Sequence, residues 1–439
     1  MSIPHHHEHW VVSLADQRHP RLPVELFHNI IHEAAPVYTP PLHFHHKSYS
    51  RYLDYRSERA TFCSMALVSS AWREFVQAEL FRVLVIFSRS ASNIGLASIL
   101  PKYAARVRTI IVEAPPGKLH DSVSLSEPGL GAIVDNAVRR CFELSTRLDS
   151  LEVYGTQFLW WIPYRGTIDD AVPRPNTAPF RSLIWQFASP LVPQDARFCS
   201  ALIHAGDRLE RLEIHDWRLR SHGCRFPKLN LSSVHPRLAS LTIIRGDQTA
   251  EEVSHLVSRT VSGSGPEREV SINHLSLQGI ATLDIHAIMG ILRDNNLGRH
   301  ITSLEIRLVS RFEHRNDTTL FPLYILGLCP SLTYFSYTSP VDDSVFTQLP
   351  ITLRHLKLLL IAKSGVSRFS PTPDRFIEYI QSPRSRNLHS LQVMVPETSG
   401  KLSWAAALVP IYAECERARI LFEYNELTEL VSEAFLIFL

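Results

Sequence analysis

Several signatures that mark particular functions are missing from this 439-residue sequence, and glycine is scarce, at 17 residues. Neither GxxxxGK[ST] nor GxGxxG occurs, so there is no glycine-rich loop of the kind that holds nucleotide phosphates. The GxSxG turn of serine hydrolases and the HExxH helix of zinc peptidases are also missing. The sequence therefore carries no recognisable motif for nucleotide chemistry, acyl transfer or metal-dependent hydrolysis, and we do not expect an enzyme.

An excess of positive charge is missing too. The 45 lysines and arginines are nearly balanced by 43 aspartates and glutamates, which leaves little to drive binding to nucleic acid or to anionic membranes. No apolar run approaches the ~20 residues needed to span a bilayer. Histidines and a glutamate occupy residues 1–10, where a secretory signal would be apolar. We expect a cytoplasmic and/or nuclear protein whose partners include neither nucleic acid nor membrane.

The six cysteines are scattered and include no CxxC pair. Cys63 and Cys199 lie on apolar faces of predicted helices, which favours buried, reduced thiols over disulfides. Histidine is abundant, at 22 residues, and clusters within residues 5–9 and 43–46. These segments read as loose and contain or adjoin prolines, whereas a structural zinc site needs preset ligands. We predict no metal site and no cofactor.

The most regular feature of the sequence is a short apolar pattern that recurs from residue 107 onward. It consists of an apolar residue, two variable residues, an apolar residue, one variable residue and an apolar residue. Its copies are Val107-Ile110-Val112, Leu148-Leu151-Val153, Phe180-Leu183-Trp185, Leu209-Leu212-Ile214, Leu238-Leu241-Ile243, Ile272-Leu275-Leu277, Ile301-Leu304-Ile306, Leu332-Phe335-Tyr337, Leu353-Leu356-Leu358 and Leu388-Leu391-Val393. Their spacing of about 30 residues is typical of a repeat architecture.

Helix-like stretches lie between several copies, at residues 196–205, 320–329, 375–381 and 405–416. No helix–strand unit of this kind can bury its apolar face alone. We therefore predict an α/β fold in which parallel strands stack on the inside and helices lie outside. A doubly wound α/β domain ranks second, because its strands would be almost continuously apolar. The apolar residues 427–439 are too few to span a membrane, and we expect them to form a helix that covers the open end of the array.

Residues 21–87 have a different pattern, of short amphipathic helices followed by a strand. Pro23 suits the first position of a helix, because that position needs no N–H donor. One face of this helix would carry Leu26, Phe27, Ile30 and Ile31. Residues 80–87 are almost continuously apolar, as expected of a buried strand.

This stretch resembles an F-box, in particular the F-box-like modules of fungal proteins. The resemblance rests on Leu22-Pro23-x-Glu25-Leu26, Ile30, Ala66-Leu67-Val68-Ser69, Trp72-Arg73 and Leu80-Phe81. Residues 36–59 are an insertion where the family has a short turn. The repeats that follow are similar to degenerate leucine-rich repeats, although the usual asparagine after the strand is missing from most copies. We therefore predict a flexible His-rich leader (1–20), an F-box-like helical module (21–82) with the insertion at 36–59, and an irregular leucine-rich-repeat-like solenoid (83–439) with a C-terminal capping helix.

The resemblance implies a substrate-recognition adaptor of a Skp–cullin–F-box type ubiquitin ligase. The helical module would bind the Skp-type adaptor of the cullin ligase core, and the repeats would bind an unknown target protein. By the family pattern, adaptor contact would be made by Leu22, Pro23, Leu26, Ile30, Leu67, Val68 and Trp72. One alternative is a repeat-based interaction scaffold without a ligase role, whose N-terminal helices only cap the array. A less favoured alternative is an α/β enzyme without a recognisable motif.

Strand geometry selects candidates for target binding. If the three pattern positions face inward, the residues that flank the last two face the opposite side of the sheet. Their mixture of charged, aromatic and amide side chains suits a recognition surface. The candidates are Glu152, Tyr154, Arg211, Glu213, His215, His274, Gln278, Glu305, Arg307, His355 and Lys357.

Overall fold

The computed structural model divides the chain into two units at the junction between Arg82 and Val83. It describes residues 24–35, 47–68, 70–87, 102–113, 145, 147–154, 180–186, 198, 201–202, 205–216, 237–246, 248–258, 261–262, 269–280, 283–308, 317–362, 369–396 and 401–427. The first unit is helical, and the second is built on a parallel sheet.

Three helices form the described part of the first unit. They are α1 (Val24–Ala34), α2 (Lys47–Val68) and α3 (Ser70–Leu80). All three contribute to one small apolar cluster, whose buried members are Ile31 from α1, Phe62 and Ala66 from α2, and Val76 from α3. Burial of these side chains stabilises α1 and α3 in particular, since isolated helices of 11 residues are marginal in water.

Helix α2 is longer than the sequence predicted. Residues 47–59, which were assigned to the insertion, are helical and continue without a break into residues 60–68. The apolar periodicity that reveals an amphipathic helix begins only at Phe62, because the preceding turns carry mainly polar residues. The second half of the insertion therefore lengthens a helix, and its first half, residues 36–46, lies outside the described residues.

The second unit is dominated by strands. In chain order they are β1 (Val83–Phe87), β2 (Thr109–Glu113), β3 (Ser150–Tyr154), β4 (Ser182–Gln186), β5 (Arg211–His215), β6 (Ser240–Ile244), β7 (Val261–Ser262), β8 (Glu269–Val270), β9 (His274–Gln278), β10 (Ser303–Arg307), β11 (Tyr334–Tyr337), β12 (His355–Leu359), β13 (Ile361–Ala362), β14 (Phe369–Ser370), β15 (Ser390–Pro396) and β16 (Leu421–Leu427). Strand β7 pairs with β8, and β13 with β14, in short antiparallel ladders. The other strands form a single 12-stranded sheet in which every ladder is parallel.

The order of strands in this sheet is their order in the chain. A doubly wound sheet would instead reverse direction and place later strands beyond its first one. The predicted α/β class and the stacking of successive parallel strands are therefore confirmed, and the arrangement is consistent with a repeat solenoid. Strand β1, predicted within residues 80–87, is the first strand of the sheet.

The recurring apolar pattern fills the core of the second unit. In all ten copies the three pattern side chains are buried and belong to one continuous cluster. The inward orientation predicted for them is therefore confirmed.

Helices cover this side of the sheet. They are α4 (Ala250–Ser258), α5 (Ile285–Arg293), α6 (Leu297–His300), α7 (Asp317–Leu328), α8 (Pro373–Gln381) and α9 (Lys401–Ala418), with short 3-10 turns at Ala104–Arg106, Gly206–Arg208, Asp294–Asn296, Asp343–Thr347 and Pro383–Ser385. Each α-helix contributes to the apolar cluster, through residues such as Val253, Ile288, Leu297, Ile325, Phe376 and Ile411. The helices predicted at 320–329, 375–381 and 405–416 are confirmed by α7, α8 and α9, and the one at 196–205 lies mostly outside the described residues.

The close approach of two of these helices depends on a glycine. A Cβ atom on Gly298 of α6 would lie 2.7 Å from the carbonyl oxygen of Leu328 and 3.3 Å from Sγ of Cys329. We expect Gly298→Ala to lower the free energy of unfolding by about 1–3 kcal/mol, because the backbone at the end of α7 must move. Chemical denaturation measures the change.

Gly290 of α5 provides the matched control, since no atom lies within 4 Å of the position its Cβ would occupy. Gly290→Ala should raise the free energy of unfolding by about 0.5–1 kcal/mol, because alanine loses less backbone entropy on forming a helix. Equal effects of the two substitutions would contradict the packing explanation.

Cysteine burial agrees with the prediction at two positions and differs at a third. Cys329 and Cys415 are buried free thiols, and burial raises the pKa of each to about 12. Cys63 is exposed, so the prediction that it is buried is wrong. The preceding residue, Phe62, faces the cluster of the helical unit, and one step along a helix turns the side chain by about 100°. Cys199 lies outside the described residues.

The predicted C-terminal helix does not begin where the sequence suggested. Leu427, its expected first residue, is the last residue of β16, and residues 428–439 lie outside the described residues. Within the described part of the chain, no helix has both the length and the hydropathy that crossing a bilayer requires.

Candidate protein-interaction surfaces

The helical unit carries the residues predicted to bind an adaptor protein. Leu22 and Pro23 lie outside the described residues, and Leu26 and Val68 lie in α1 and α2 with side chains outside the described set. Ile30, Leu67 and Trp72 are described in full. The structure separates these three by their burial.

Ile30 and Leu67 are exposed, at 41% and 79% of their surface. Trp72 is half-buried and packs against the apolar cluster of the unit. The predicted apolar face of α1 is therefore divided, because Ile31 is buried while its neighbour Ile30 faces solvent. Trp72 supports the fold of the unit, whereas Ile30 and Leu67 are free to contact another molecule.

Leu67 lies in the last turn of α2, close to the start of the next helix. Helix α2 ends at Val68 and α3 begins at Ser70. The Nε–H of Arg73 donates a hydrogen bond to the carbonyl oxygen of Ala66, at 3.4 Å, and so satisfies an acceptor in the last turn of α2. This contact links the end of α2 to α3, and the neighbouring Leu67 remains exposed.

The second candidate surface is the side of the sheet opposite the apolar core, which we call the polar face. It consists of the first, third and fifth residues of the strands, which alternate with the inward residues. All eleven residues selected from the sequence for target binding occupy such positions in β3, β5, β9, β10 and β12. The contacts among them form two groups.

The first group is centred on Glu213 of β5. Its Oε1 atom lies 2.6 Å from Nε2 of His215, and its Oε2 atom accepts a hydrogen bond from Nη2 of Arg211 at 2.7 Å. On β3, the hydroxyl of Tyr154 donates to Oε2 of Glu152 at 3.0 Å. The carboxylates of Glu152 and Glu213 thus lie on the same face of the sheet, and each accepts hydrogen bonds from different side chains.

These two carboxylates have opposite pKa shifts. Burial alone would raise the pKa of Glu213, but its hydrogen bonds and charge interactions with His215 and Arg211 outweigh burial and lower it. Burial raises the pKa of Glu152, because the hydrogen bond from Tyr154 only partly compensates. The pKa of Tyr154 is raised well above its ordinary range, first by burial and then by the neighbouring Glu152 carboxylate.

Residues that the sequence did not select join this group at the ends of the strands. Oδ2 of Asp216 accepts hydrogen bonds from Nε2 of Gln186 and Nη2 of Arg245, both at 2.9 Å. Asp216 and Arg245 each follow the last residue of their strand with φ of 54°. Because of this left-handed turn, the Asp216 carboxylate at the end of β5 contacts side chains from both neighbouring strands, β4 and β6. These contacts require the ends of the three strands to lie in register.

The second group is centred on Glu305 of β10. Its carboxylate accepts hydrogen bonds from the hydroxyls of Ser276 and Ser336, both at 3.3 Å, on the two adjacent strands. Nζ of Lys357 lies 3.9 Å from Oε1 of the same carboxylate. Nε2 of Gln278 donates to Oγ of Ser276 at 2.9 Å. The neighbouring His274 contacts Oγ of Ser303 at 2.7 Å through Nδ1, and burial lowers its pKa.

Burial distinguishes the candidates for target binding. Tyr154, Glu213 and His215 are buried, so they could touch a partner only after the face rearranged, and their contacts serve the sheet itself. Arg211 and His355 are exposed, and the other candidates are half-buried. None of the candidates on β9, β10 and β12 is buried, so these are more accessible than most of those on β3 and β5.

Metal binding was not predicted for this chain. Among the described residues, no group of three or more histidine, cysteine, aspartate or glutamate side chains could hold a metal ion. The histidines within residues 5–9 and 43–46 lie outside those residues.

Comparison with known proteins gives no independent assignment of these surfaces. No family model matches the chain, and no curated protein is significantly similar to it in sequence.

Proposed function

We propose that this chain is the substrate-recognition adaptor of a Skp–cullin–F-box type ubiquitin ligase. The helical unit is an F-box-like module that binds the Skp-type adaptor, and the sheet is an irregular leucine-rich-repeat array that binds a target protein. Ubiquitin transfer is carried out by the other subunits of the ligase and the ubiquitin-conjugating enzyme, so this chain needs no catalytic residue or cofactor. Such an adaptor works in the cytoplasm, the nucleus or both.

The exposure of Ile30 and Leu67 is the observation that carries this proposal. Both belong to the F-box-like motif, and both are large apolar side chains that the small core of the helical unit leaves in water. Apolar anchors of this kind supply most of the free energy when they are desolvated at the centre of an interface. A partner that covered them would therefore bury apolar surface that the core of the helical unit does not use.

The sheet supports the second half of the proposal. Its apolar side is covered by helices, and its polar face presents charged, amide and aromatic side chains along successive strands. Stacked repeats of this kind offer an extended surface for a protein partner.

A repeat-based interaction scaffold without a ligase role is the second candidate. The hydrogen bonds described above for the polar face each join two residues of the second unit. Target binding therefore does not require that the helical unit bind anything.

Co-expression with a Skp-type adaptor tests the proposal. We expect the wild-type chain to co-purify with it. The double variant Ile30→Asp, Leu67→Asp should bind about 100-fold more weakly or not at all, because two carboxylates would replace apolar anchors in a desolvated contact.

The neighbouring exposed residues provide a matched control. The double variant Asn29→Asp, Thr61→Asp adds the same charge to the same two helices, at positions that are exposed and polar already, and should bind like the wild type. Failure of the wild type to bind, or equal loss in both double variants, would leave the scaffold as the better account.

A further inference from the structure

The residues that precede the strands form a regular row along one end of the sheet. From Arg108 to Arg354 the carbonyl oxygen of each row residue accepts two N–H groups at the start of the next strand, and that of His389 accepts one, from Leu421. For example, the oxygen of Arg108 accepts from Asp149 at 2.7 Å and from Ser150 at 3.0 Å. From β2 onward the row consists of Arg108, Asp149, Arg181, Glu210, Ala239, Asn273, Thr302, Thr333, Arg354 and His389. Neighbours in this row are therefore held side by side by the backbone.

The charged side chains at the beginning of this row form two ion pairs. Nη1 of Arg108 lies 3.4 Å from Oδ2 of Asp149, and Nη1 of Arg181 lies 3.7 Å from Oε1 of Glu210. In both pairs the arginine precedes one strand and the carboxylate precedes the next. Each exposed cation in this part of the row thus has its counter-charge on the adjacent strand.

Arg354 breaks this rule. Its neighbours in the row are Thr333 and His389, so no carboxylate occupies the adjacent positions. Among the described residues no acidic group lies within ion-pairing distance of the exposed Arg354.

Aromatic residues adjoin Arg354 along the backbone: His355 follows it in the chain, and the backbone N–H of His389 donates to its carbonyl oxygen at 2.7 Å. The rings of Tyr334 and His355 have centroids 6.4 Å apart, and those of His355 and His389 are 6.1 Å apart. Nδ1 of His355 contacts Oγ of Ser390 at 2.8 Å, and Nδ1 of His389 donates to the carbonyl oxygen of Asn387 at 2.7 Å. Both histidines are exposed and Tyr334 is half-buried. We call Tyr334, Arg354, His355 and His389 the β12 corner.

We infer that the β12 corner binds an acidic segment of the target protein, through aspartate or glutamate side chains. Arg354 offers a guanidinium whose donors suit a carboxylate. The rings beside it are fixed amphipathic surfaces that can pack against the same segment at little cost in entropy. Each exposed histidine also has an Nε2 atom available for a hydrogen bond. This inference names the chemistry of the target and rests on the proposed function of the repeats.

Selection from phage-displayed random dodecapeptides on the immobilised full-length chain tests this inference. The expected result is a pool enriched in aspartate and glutamate, with binding weakened by high salt. The pool should bind about tenfold more weakly to Arg354→Gln, because a charge-assisted hydrogen bond is lost. Binding is measured by fluorescence anisotropy of the selected peptides after labelling.

Two variants make the test specific to the corner. Arg181→Gln removes the same charge from an equivalent row position whose arginine is already paired, and should leave peptide binding unchanged. His389→Asp places a carboxylate beside Arg354 in the register of Asp149 beside Arg108, and should weaken binding as much as Arg354→Gln does. A selected pool without acidic enrichment, or one that His389→Asp still binds fully, would overturn the inference.

This experiment can fail independently of the proposed function. If the Skp-type adaptor binds and no acidic peptide is selected, only the β12 corner assignment is overturned. If acidic peptides are selected and the adaptor does not bind, the corner stands as the binding site of a scaffold.

Discussion

Replacing Tyr337 with alanine is expected to lower the free energy of unfolding by about 3–5 kcal/mol, since a large aromatic side chain is lost from a closed core. Tyr337 is the last pattern residue of β11 and has no solvent-exposed surface. Its ring stacks on Phe335 with centroids 6.3 Å apart and planes inclined by 11°. Strands on both sides of β11 prevent the cavity from collapsing.

Tyr424 is the matched control, because it occupies the same pattern position in β16. It pairs in register with the inward Val393, yet 58% of its surface is exposed, since β16 is the last strand of the sheet. Tyr424→Ala should change the free energy of unfolding by about 0.5 kcal/mol or less. Urea denaturation of both variants measures the difference, and similar losses would contradict a core that is closed at β11 and open at β16.

Glu213→Gln is expected to lower the free energy of unfolding by about 2–3 kcal/mol at neutral pH, because the neutral amide keeps only one acceptor oxygen and so loses one of the charge-assisted hydrogen bonds to His215 and Arg211 and weakens the other. The pKa of Glu213 in the folded protein is lowered below 4.5, the ordinary value for a glutamate. Its stabilising contribution is therefore complete above that pH and is lost as the pH falls through the folded-state pKa. The difference between wild type and variant should shrink accordingly below about pH 4.5.

Glu152→Gln should act in the opposite direction. The pKa of Glu152 is raised by burial, so the contribution of this carboxyl group is most favourable below the unfolded-state pKa and is lost as the pH rises through the folded one. The glutamine can still accept the hydrogen bond from the Tyr154 hydroxyl. We expect the variant to be as stable as the wild type at low pH and more stable at neutral pH.

Denaturation midpoints of the wild type and both variants, measured from pH 3 to 8, test the predictions for Glu213→Gln and Glu152→Gln. Parallel curves for the two variants would show that the carboxylates do not differ in the way their contacts imply. A Glu152→Gln variant that is less stable than the wild type at neutral pH would also contradict these predictions.

Most of the sheet was predictable because its core repeats a simple rule. Three apolar positions at fixed spacing were enough to locate ten inward strands, all of which the structure confirms. The apolar pattern did not predict strand β16, because its first position is occupied by the charged Arg419. This residue lies in the turn that ends α9 and has φ of 58°. Phe422 and Tyr424 alone did not complete the pattern.

The candidate surfaces were predictable only in part. Alternation along a strand placed Arg211 and Glu213 on the same face, but it could not show that Glu213 is buried. Asp216 joins the face through a left-handed turn beyond the strand end, which no periodicity reveals. Similarly, the missing counter-charge beside Arg354 follows from the register of β12 and β15, and those strands are separated in the sequence by a helix.

The stoichiometry of the complex with a Skp-type adaptor tests the two-part account most directly. Size-exclusion chromatography with light scattering of the full-length chain mixed with the adaptor should give one species that contains one copy of each. The same mixture with the Ile30→Asp, Leu67→Asp variant should give two separate species, while the variant still unfolds at the wild-type temperature. Separate species with the wild-type chain would contradict the account.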